Sequence, residues 1–487
     1  MIDIVAILQS KERVNIEVKA AGGGIPNSIW ETYSSFANTF GGTIILGIEE
    51  DKDTKEFMPR GVNDPQQMLS DIWNTLNNRQ KISNNILLEH HVYNIEHEGM
   101  NFVVIEVPRA ERREKPVFVG QDMFRGTFRR NHEGDYHCSK EEVKSMLRDQ
   151  TDTTQDALIL ENLLISDLNQ DSIHRYRIMF NNLKPDHIWV KLADEEFLLK
   201  IGAAKKSQID GNIHPTLGGL LFFGDFVNIS DELPNYFLDY RERLSNETRW
   251  SDRVCSGDGN WSGNVFDFYF KVIDRLTADV KVPFKLDSNL QRVDDTPIHK
   301  SLRECLANAL IHADYYGRRG IVIDKEFRKI TIANPGTFRI GIDEAIAGGI
   351  SDARNGRIFN MFSLIKVGER SGQGLCDVYS VWDKNGFKKP ELIETVDPDR
   401  ITLTLAIEID SNRDSNDSNE RNDDSNLTET EAKVMDVLRH NTGLSATQVA
   451  TESGLSVSTV NRAYKSLKEK GYITRENQTR GKWIILK

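Results

Sequence analysis

Apolar and polar positions follow different rhythms in successive parts of the chain. Near the N-terminus Val14–Val18 alternates as a strand does, the residues from Trp30 to Asn38 repeat with helical spacing, and Thr43–Ile48 reads as a second strand running into Glu49, Glu50 and Asp51. Small residues in Ser35–Thr39 and the pair Gly41-Gly42 permit close helix packing and a tight turn into that strand. Further on, Leu217–Gly224 is an unbroken apolar run, most simply a buried strand. The stretch from Ser301 to Tyr316 predicts a largely apolar helix in which Glu304 and Asn308, four residues apart, share a face. A β-like run ends in Asn334-Pro335-Gly336, and Gly368–Leu375, with Gly372 and Gly374, precedes another helix. The last residues carry three helical patterns, Thr430–His440, Ser445–Gly454 and Ser456–Gly471, then two strand patterns around Asn477–Gly481.

Between these patterns, Asp410–Asn426 contains only Asp, Ser, Asn, Glu and Arg and cannot build a core, so it reads as a tether with a mean reach of roughly 20–25 Å. Softer breaks at Thr151–Gln155 and Asp287–Pro297 complete an expected order of 1–150, 155–285 (a connecting α/β region), 286–409, the linker 410–426, and 427–487. The length suits about three or four domains. A net charge of −12, from 74 acidic against 62 basic residues, argues against coating nucleic acid over the whole surface and makes any such contact regional. Cys138, Cys255, Cys305 and Cys376 are too scattered for a zinc motif or a disulfide framework. No stretch of about 18 apolar residues occurs, so a cytoplasmic protein with no membrane partner is expected.

The order ERVNIEVK, then SFANTFGGTIILGIEED, resembles the AlbA-type Schlafen domain over about 150 residues. The resemblance implies an α+β nucleic-acid domain and, in its ribonuclease members, three carboxylates that hold Mg²⁺ or Mn²⁺ for cleavage of RNA such as tRNA. The matching positions are Glu12, Glu17 and Glu50, with Asp51 as a substitute for the last and Lys19 as a contact to the scissile phosphate. Clustered carboxylates repel one another unless a cation neutralises them. Arg109, Arg112, Arg113, Lys115, Arg125, Arg129 and Arg130, interleaved with Phe124 and Phe128, form a basic stretch suited to phosphates and bases; solvated charge on a hairpin with Phe in the core explains any single one of them equally well.

Glu304, Asn308 and the two glycine-bearing segments together resemble the GHKL ATP-binding α/β sandwich of gyrase, MutL and histidine kinases. That resemblance implies ATP with Mg²⁺: Glu304 acting on the attacking water, Asn308 completing the metal shell, Asn334 and Gly336 at the adenine turn, Arg370, Gly372 and Gly374 at the phosphates. Asn334 stands where the family has Asp, which lowers the expected affinity. His312 and Asp314 continue the helix, and Arg354 with Asn355 would lie in a nucleotide lid. The run around IHPTLGGLLFFG is similar to bacterial proteins labelled as transcriptional regulators or RecG-like, although no helicase phosphate loop is present.

Residues 427–487 resemble a winged helix-turn-helix and carry ten Lys/Arg against six Asp/Glu, so DNA is the expected partner, through Arg462 and Lys465 on the recognition helix and Arg480 in the wing; protein docking is the alternative. Two function classes follow for this multidomain α/β chain. One is an ATP-regulated, metal-dependent endoribonuclease with weak ATPase activity, a stress or phage-defence effector. The other is an ATP-responsive DNA-binding regulator without nuclease activity. A homo-oligomer is expected in either case.

Overall fold

The computed structural model describes residues 14–51, 53, 54, 56–244, 250–278, 296–368, 372–408, 428–440, 444–453, 455–470, 472–477 and 480–485. The chain divides into two compact units, Met1–Ile409 and Asp410–Lys487. Among the described residues no helix is long and apolar enough to cross a membrane.

In the first unit, β1 (Ile16–Lys19) pairs in parallel with β2 (Gly42–Leu46); β3 (Ile48–Glu50) and β4 (Phe57–Pro59) form a ribbon, and β5 (Val92–His97) with β6 (Met100–Val107) completes a sheet of order β1-β2-β6-β5. The helix Ile29–Asn38 covers one face, packing Phe36 against Ile44, Leu46 and Val103. A Cβ on Gly42 would lie 2.7 Å from the Phe36 ring, which is why the double glycine is needed. The polar residues of this helix bind backbone: Ser34 Oγ donates to the Val117 carbonyl at 2.7 Å, and Asn38 Nδ2 donates to the carbonyls of Val117 and Phe128 at 2.7 and 3.0 Å. They thereby hold the hairpin of β7 (Phe128–Asn131) and β8 (Gly134–His137) against the helix.

The run Leu217–Phe223 is a helix, not the expected strand. Thr216 caps it by accepting from the Gly219 N–H at 3.0 Å, and every residue is buried, so no amphipathic period marks it in sequence. A Cβ on Gly219 would lie 1.9 Å from the Ala203 carbonyl oxygen, so the glycine lets the helix press onto the hairpin of β9 (Ala204–Lys206) and β10 (Ile213–Pro215).

The second sheet has the order β12-β11-β13-β14-β16-β15, drawn from β11 (Leu238–Arg243), β12 (Asp252–Cys255), β13 (Ile321–Glu326), β14 (Lys329–Pro335), β15 (Glu391–Thr395) and β16 (Arg400–Ala406). β11 runs parallel to β13, so the segment before residue 285 contributes two strands to the sheet that bears the later motifs. One core holds it together, including Tyr176, Phe222, Phe266, Leu306, Ile332 and Trp382.

The second unit has helices Glu429–His440, Ala446–Ser453 and Val457–Glu469, then the ribbon of β17 (Ile473–Asn477) and β18 (Arg480–Ile485). Val434, Leu438, Val449, Val460, Leu467 and Trp483 give it a core of its own.

Candidate nucleotide site and nucleic-acid surfaces

The helix Pro297–His312 starts with proline in its first turn behind Thr296, and buries Ile298, Leu302, Cys305, Leu306 and Leu310. Its remaining face, Glu304, Asn308 and His312, lines a cavity over the sheet residues Ile332, Asn334, Leu392 and Leu403. Gly372 and Gly374 form the neighbouring wall, and a Cβ on Gly374 would lie 2.5 Å from Glu304 Oε1 and 3.0 Å from Asn308 Nδ2. Burial, reinforced by the Arg354 and Arg339 charges, pushes His312 down to about 4, so it is neutral at pH 7. The donor set and the glycine-walled cradle fit a magnesium nucleotide. The cavity is about 120 Å³, below the roughly 300–1,000 Å³ usual for ligand pockets, and the carbonyl of Gly372, one of its lining residues, accepts from Gly349 N–H at 3.1 Å.

Three expected roles are corrected. Gly336 does not line the cavity; a Cβ there would sit 2.0 Å from Arg354 Nη1, so the glycine makes room for that guanidinium. Arg354 is fully buried, with Nη2 on Asp149 Oδ2 at 2.8 Å and Nη1 on the His312 carbonyl at 3.1 Å, a fixed strut rather than a lid residue. Asn355 is also buried and donates to the carbonyls of Ile311 and Ala313, closing the C-terminus of the Glu304 helix. Asp314 lies beyond that helix, accepting from Ser145 Oγ at 3.2 Å. Asn334 is buried at the cavity floor, its Nδ2 donating to the Pro335 carbonyl at 3.4 Å. Arg370 lies outside the described residues.

In the first sheet Glu17 is neutralised by protein cations. Its Oε1 is 2.7 Å from Lys19 Nζ and its Oε2 is 3.1 Å from Arg130 Nη2. Arg130 is buried over the Phe36 ring and also pairs with Asp135. Lys19, the expected phosphate contact, is thus paired with Glu17. Glu50 lies on β3, which pairs with β4 and not with the strand of Glu17. Glu17 is in register with Ile44, which packs on the helix side, whereas Ile48 packs on the opposite side with Val18 and Phe102. The alternation reverses at Gly47, whose φ is +104° and whose carbonyl accepts from both Arg60 and Gly61. Glu49 pairs with Arg60 at 2.9 Å. Only the positive φ at Gly47, unreadable in the alternating pattern, could have signalled that reversal. Asp51 accepts from the N–H groups of Thr54 and Asp53, which lower its pKa and use its carboxylate as a turn cap. Glu12 lies outside the described residues.

The basic stretch is mostly internal. Arg129 is buried between Glu142 and Asp399, and Phe128 is buried beside it, so neither Arg129 nor Arg130 presents a phosphate-binding group and Phe128 offers no stacking face. Burial, beside the Arg109 and Arg129 charges, pulls Lys115 down to about 7, and its Nζ donates to the Asn38 carbonyl. Arg109 grips Glu394 and the Phe338 carbonyl; Arg112 grips Asp352 and the carbonyls of Asp149 and Thr151. The acids lie more than 200 residues further along the chain, so sequence could not pair them. Arg113 stays exposed, on Asp152, and Arg125 is exposed beside Asp122.

In the second unit Ser456 caps the helix Val457–Glu469 by accepting from the Thr459 N–H, and Ser458, Asn461, Arg462 and Lys465 are exposed on it. Arg480 lies on β18 in register with Asn477.

Family models match in four places: Schlafen, AlbA_2 over residues 11–139, a domain of unknown function over 144–239, "Putative ATP-dependent DNA helicase recG C-terminal" over 323–405, and winged helix-turn-helix DNA-binding over 427–474. No curated protein matches the chain. Among solved structures, the DIP2311 protein of Corynebacterium diphtheriae is similar at 16% identity, with 99% of this chain and 96% of that chain covered and a TM-score of 0.41. The N-terminal domain of a RecG-related helicase protein of Nitrosomonas europaea is similar at 25% identity over 28% of this chain and 90% of that one, with a TM-score of 0.23. The domain types point to a nucleic-acid-binding protein, and the ATPase-like domain to a nucleotide. The chain is a multidomain α/β protein that joins a Schlafen AlbA_2 domain, a RecG C-terminal-type ATPase-like domain and a winged helix-turn-helix.

Proposed function

We propose that the protein is an ATP-responsive DNA-binding regulator in which nucleotide binding at Glu304 and Asn308 alters how the Schlafen-type domain and the winged helix engage nucleic acid. One observation carries the reading. Thr337–Ile340 and Ile350–Asp352 line the nucleotide cavity, and the same stretch holds the first domain through Arg109 to the Phe338 carbonyl and Arg112 to Asp352. A nucleotide that displaces these segments would disturb those contacts. When bound, magnesium would neutralise phosphate charge; Asn308 would hold it, Glu304 would orient water, and the glycine walls would admit phosphate oxygens close to backbone N–H groups.

The endoribonuclease reading is the weaker one, because Glu17 is already compensated by Arg130 and Lys19. A test separates the two. Labelled duplex DNA and structured RNA, tRNA first, are titrated with the full chain, with and without Mg²⁺-ATP, and then incubated with Mn²⁺. The proposal expects DNA affinity to change at least about five-fold with nucleotide, within the range typical of coupled sites, and the RNA to stay intact. Unchanged affinity rejects nucleotide control, and Mn²⁺-dependent cleavage lost in Glu17→Gln restores the nuclease.

A further inference from the structure

The region matched to a domain of unknown function contains three side chains that the nucleotide and nucleic-acid readings leave unused. Ile159 bridges Thr216 in antiparallel sense, and Leu160 N–H donates to the Pro215 carbonyl, which sets Glu161 opposite His214 of β10. The turn between β9 and β10 then brings Asp210 to the same point. All three ligand atoms lie within 4.8 Å of one another, and this is the one such group of three among the described residues.

The imidazole is built to present one nitrogen. His214 is 3% exposed, and its Nδ1 lies 2.7 Å from the Leu163 carbonyl oxygen, which can only accept, so Nδ1 carries a proton. Nε2 then faces the two carboxylates, 2.9 Å from Asp210 Oδ2 and 3.5 Å from Glu161 Oε2. A backbone carbonyl fixing the far nitrogen is the arrangement that orients metal-bound histidines. The carboxylates are oriented too: Ser207 Oγ donates to Glu161 Oε1 at 3.0 Å, and Asn212 N–H donates to Asp210 Oδ1 at 2.9 Å. Around a tetrahedral ion with bonds of about 2.1 Å, ligand atoms stand about 3.4 Å apart; Nε2 lies 2.9 and 3.5 Å from the two carboxylate oxygens, and all three atoms are within 4.8 Å. Nitrogen in the donor set disfavours Mg²⁺ and Ca²⁺. Glu161 and Asp210 are exposed, which opens the remaining position to water.

We propose that Glu161, Asp210 and His214 bind one divalent transition-metal ion of the zinc class, with water completing the tetrahedron, so that the ion pins the β9–β10 turn to the segment after residue 159. The test uses the full chain freed of metal by chelation and titrated with Zn²⁺ and with Co²⁺ as a visible probe. One equivalent should bind and give the absorption of tetrahedral Co²⁺. Asp210→Asn and Glu161→Gln change exposed groups and should keep the fold by circular dichroism while each weakens that equivalent at least about 10-fold; His214→Gln should abolish it. The same Co²⁺ spectrum and stoichiometry in wild type, Asp210→Asn and Glu161→Gln would overturn the site, as would no Co²⁺ or Zn²⁺ binding by the wild type at millimolar concentrations.

Discussion

Gly374 abuts Glu304 so closely that a methyl group on it would fall 2.5 Å from the carboxylate oxygen. The atom in the way is the end of a flexible side chain, so Gly374→Ala should displace Glu304 rather than break the fold. Thermal stability is expected to change by less than about 1 kcal/mol, while any ATP turnover falls at least about ten-fold. Gly219→Ala is the contrast, because its Cβ would meet the rigid Ala203 carbonyl oxygen at 1.9 Å; a loss of about 2–4 kcal/mol is expected. Thermal denaturation of both variants beside a phosphate-release assay checks the pair.

Glu304 and Asn308 occupy one helix face but should separate in function. Glu304→Ala keeps Mg²⁺-ATP binding and loses turnover; Asn308→Ala weakens binding itself, by about ten-fold or more, if Asn308 holds the metal. Calorimetry with millimolar ATP and Mg²⁺ distinguishes them, and equal behaviour contradicts the assigned roles.

The Arg112–Asp352 pair sits between the nucleotide cavity and the first domain. Asp352→Asn should leave the fold intact, keep nucleotide binding within about three-fold, and shrink the nucleotide-dependent change in DNA affinity towards nothing. Retention of the full effect would place the coupling elsewhere.

Glu17 offsets the buried Arg130 guanidinium. Removing it takes one carboxylate from a buried guanidinium that also pairs with Asp135, so Glu17→Gln should destabilise the chain by about 1–3 kcal/mol. A crowded metal-binding acid cluster predicts the opposite sign, since removing one like charge relieves repulsion. Denaturant melts decide between them.

In the winged helix, burial alone would raise the Glu431 pKa, but hydrogen bonds from Lys470, Ser466 and Thr428 outweigh it and bring it to about 2. A carboxyl with a lowered folded pKa lends stability that is complete above about 4.5, its ordinary value, and fades as pH falls from there towards 2. A 427–487 fragment should lose stability across that window, followed through Trp483, its sole tryptophan, and Glu431→Gln should flatten the profile. In the same fragment Arg462→Ala should weaken duplex DNA binding about three- to ten-fold and lower the salt slope by about one. DNA binding that ignores salt would move this module to protein docking.

Periodicity and local chemistry were enough to read the helix bearing Glu304 and Asn308, the glycines beside it, the strand–helix–double-glycine opening and the three helices with a wing, because each is set by neighbours within a few residues. Leu217–Phe223 escaped because a segment buried on every side has no polar face to mark its period. The basic stretch from Arg109 to Arg130 looked like a phosphate-binding surface, and tertiary structure made most of it internal: Glu394, Asp399 and Asp352, hundreds of residues away, supply the counter-charges. The meeting of Glu161 with His214 is equally non-local. Side-chain type and spacing dictate which groups can act together only along one helix or strand. Which charges neutralise one another depends on strand register and domain packing, and those are set by the whole core at once.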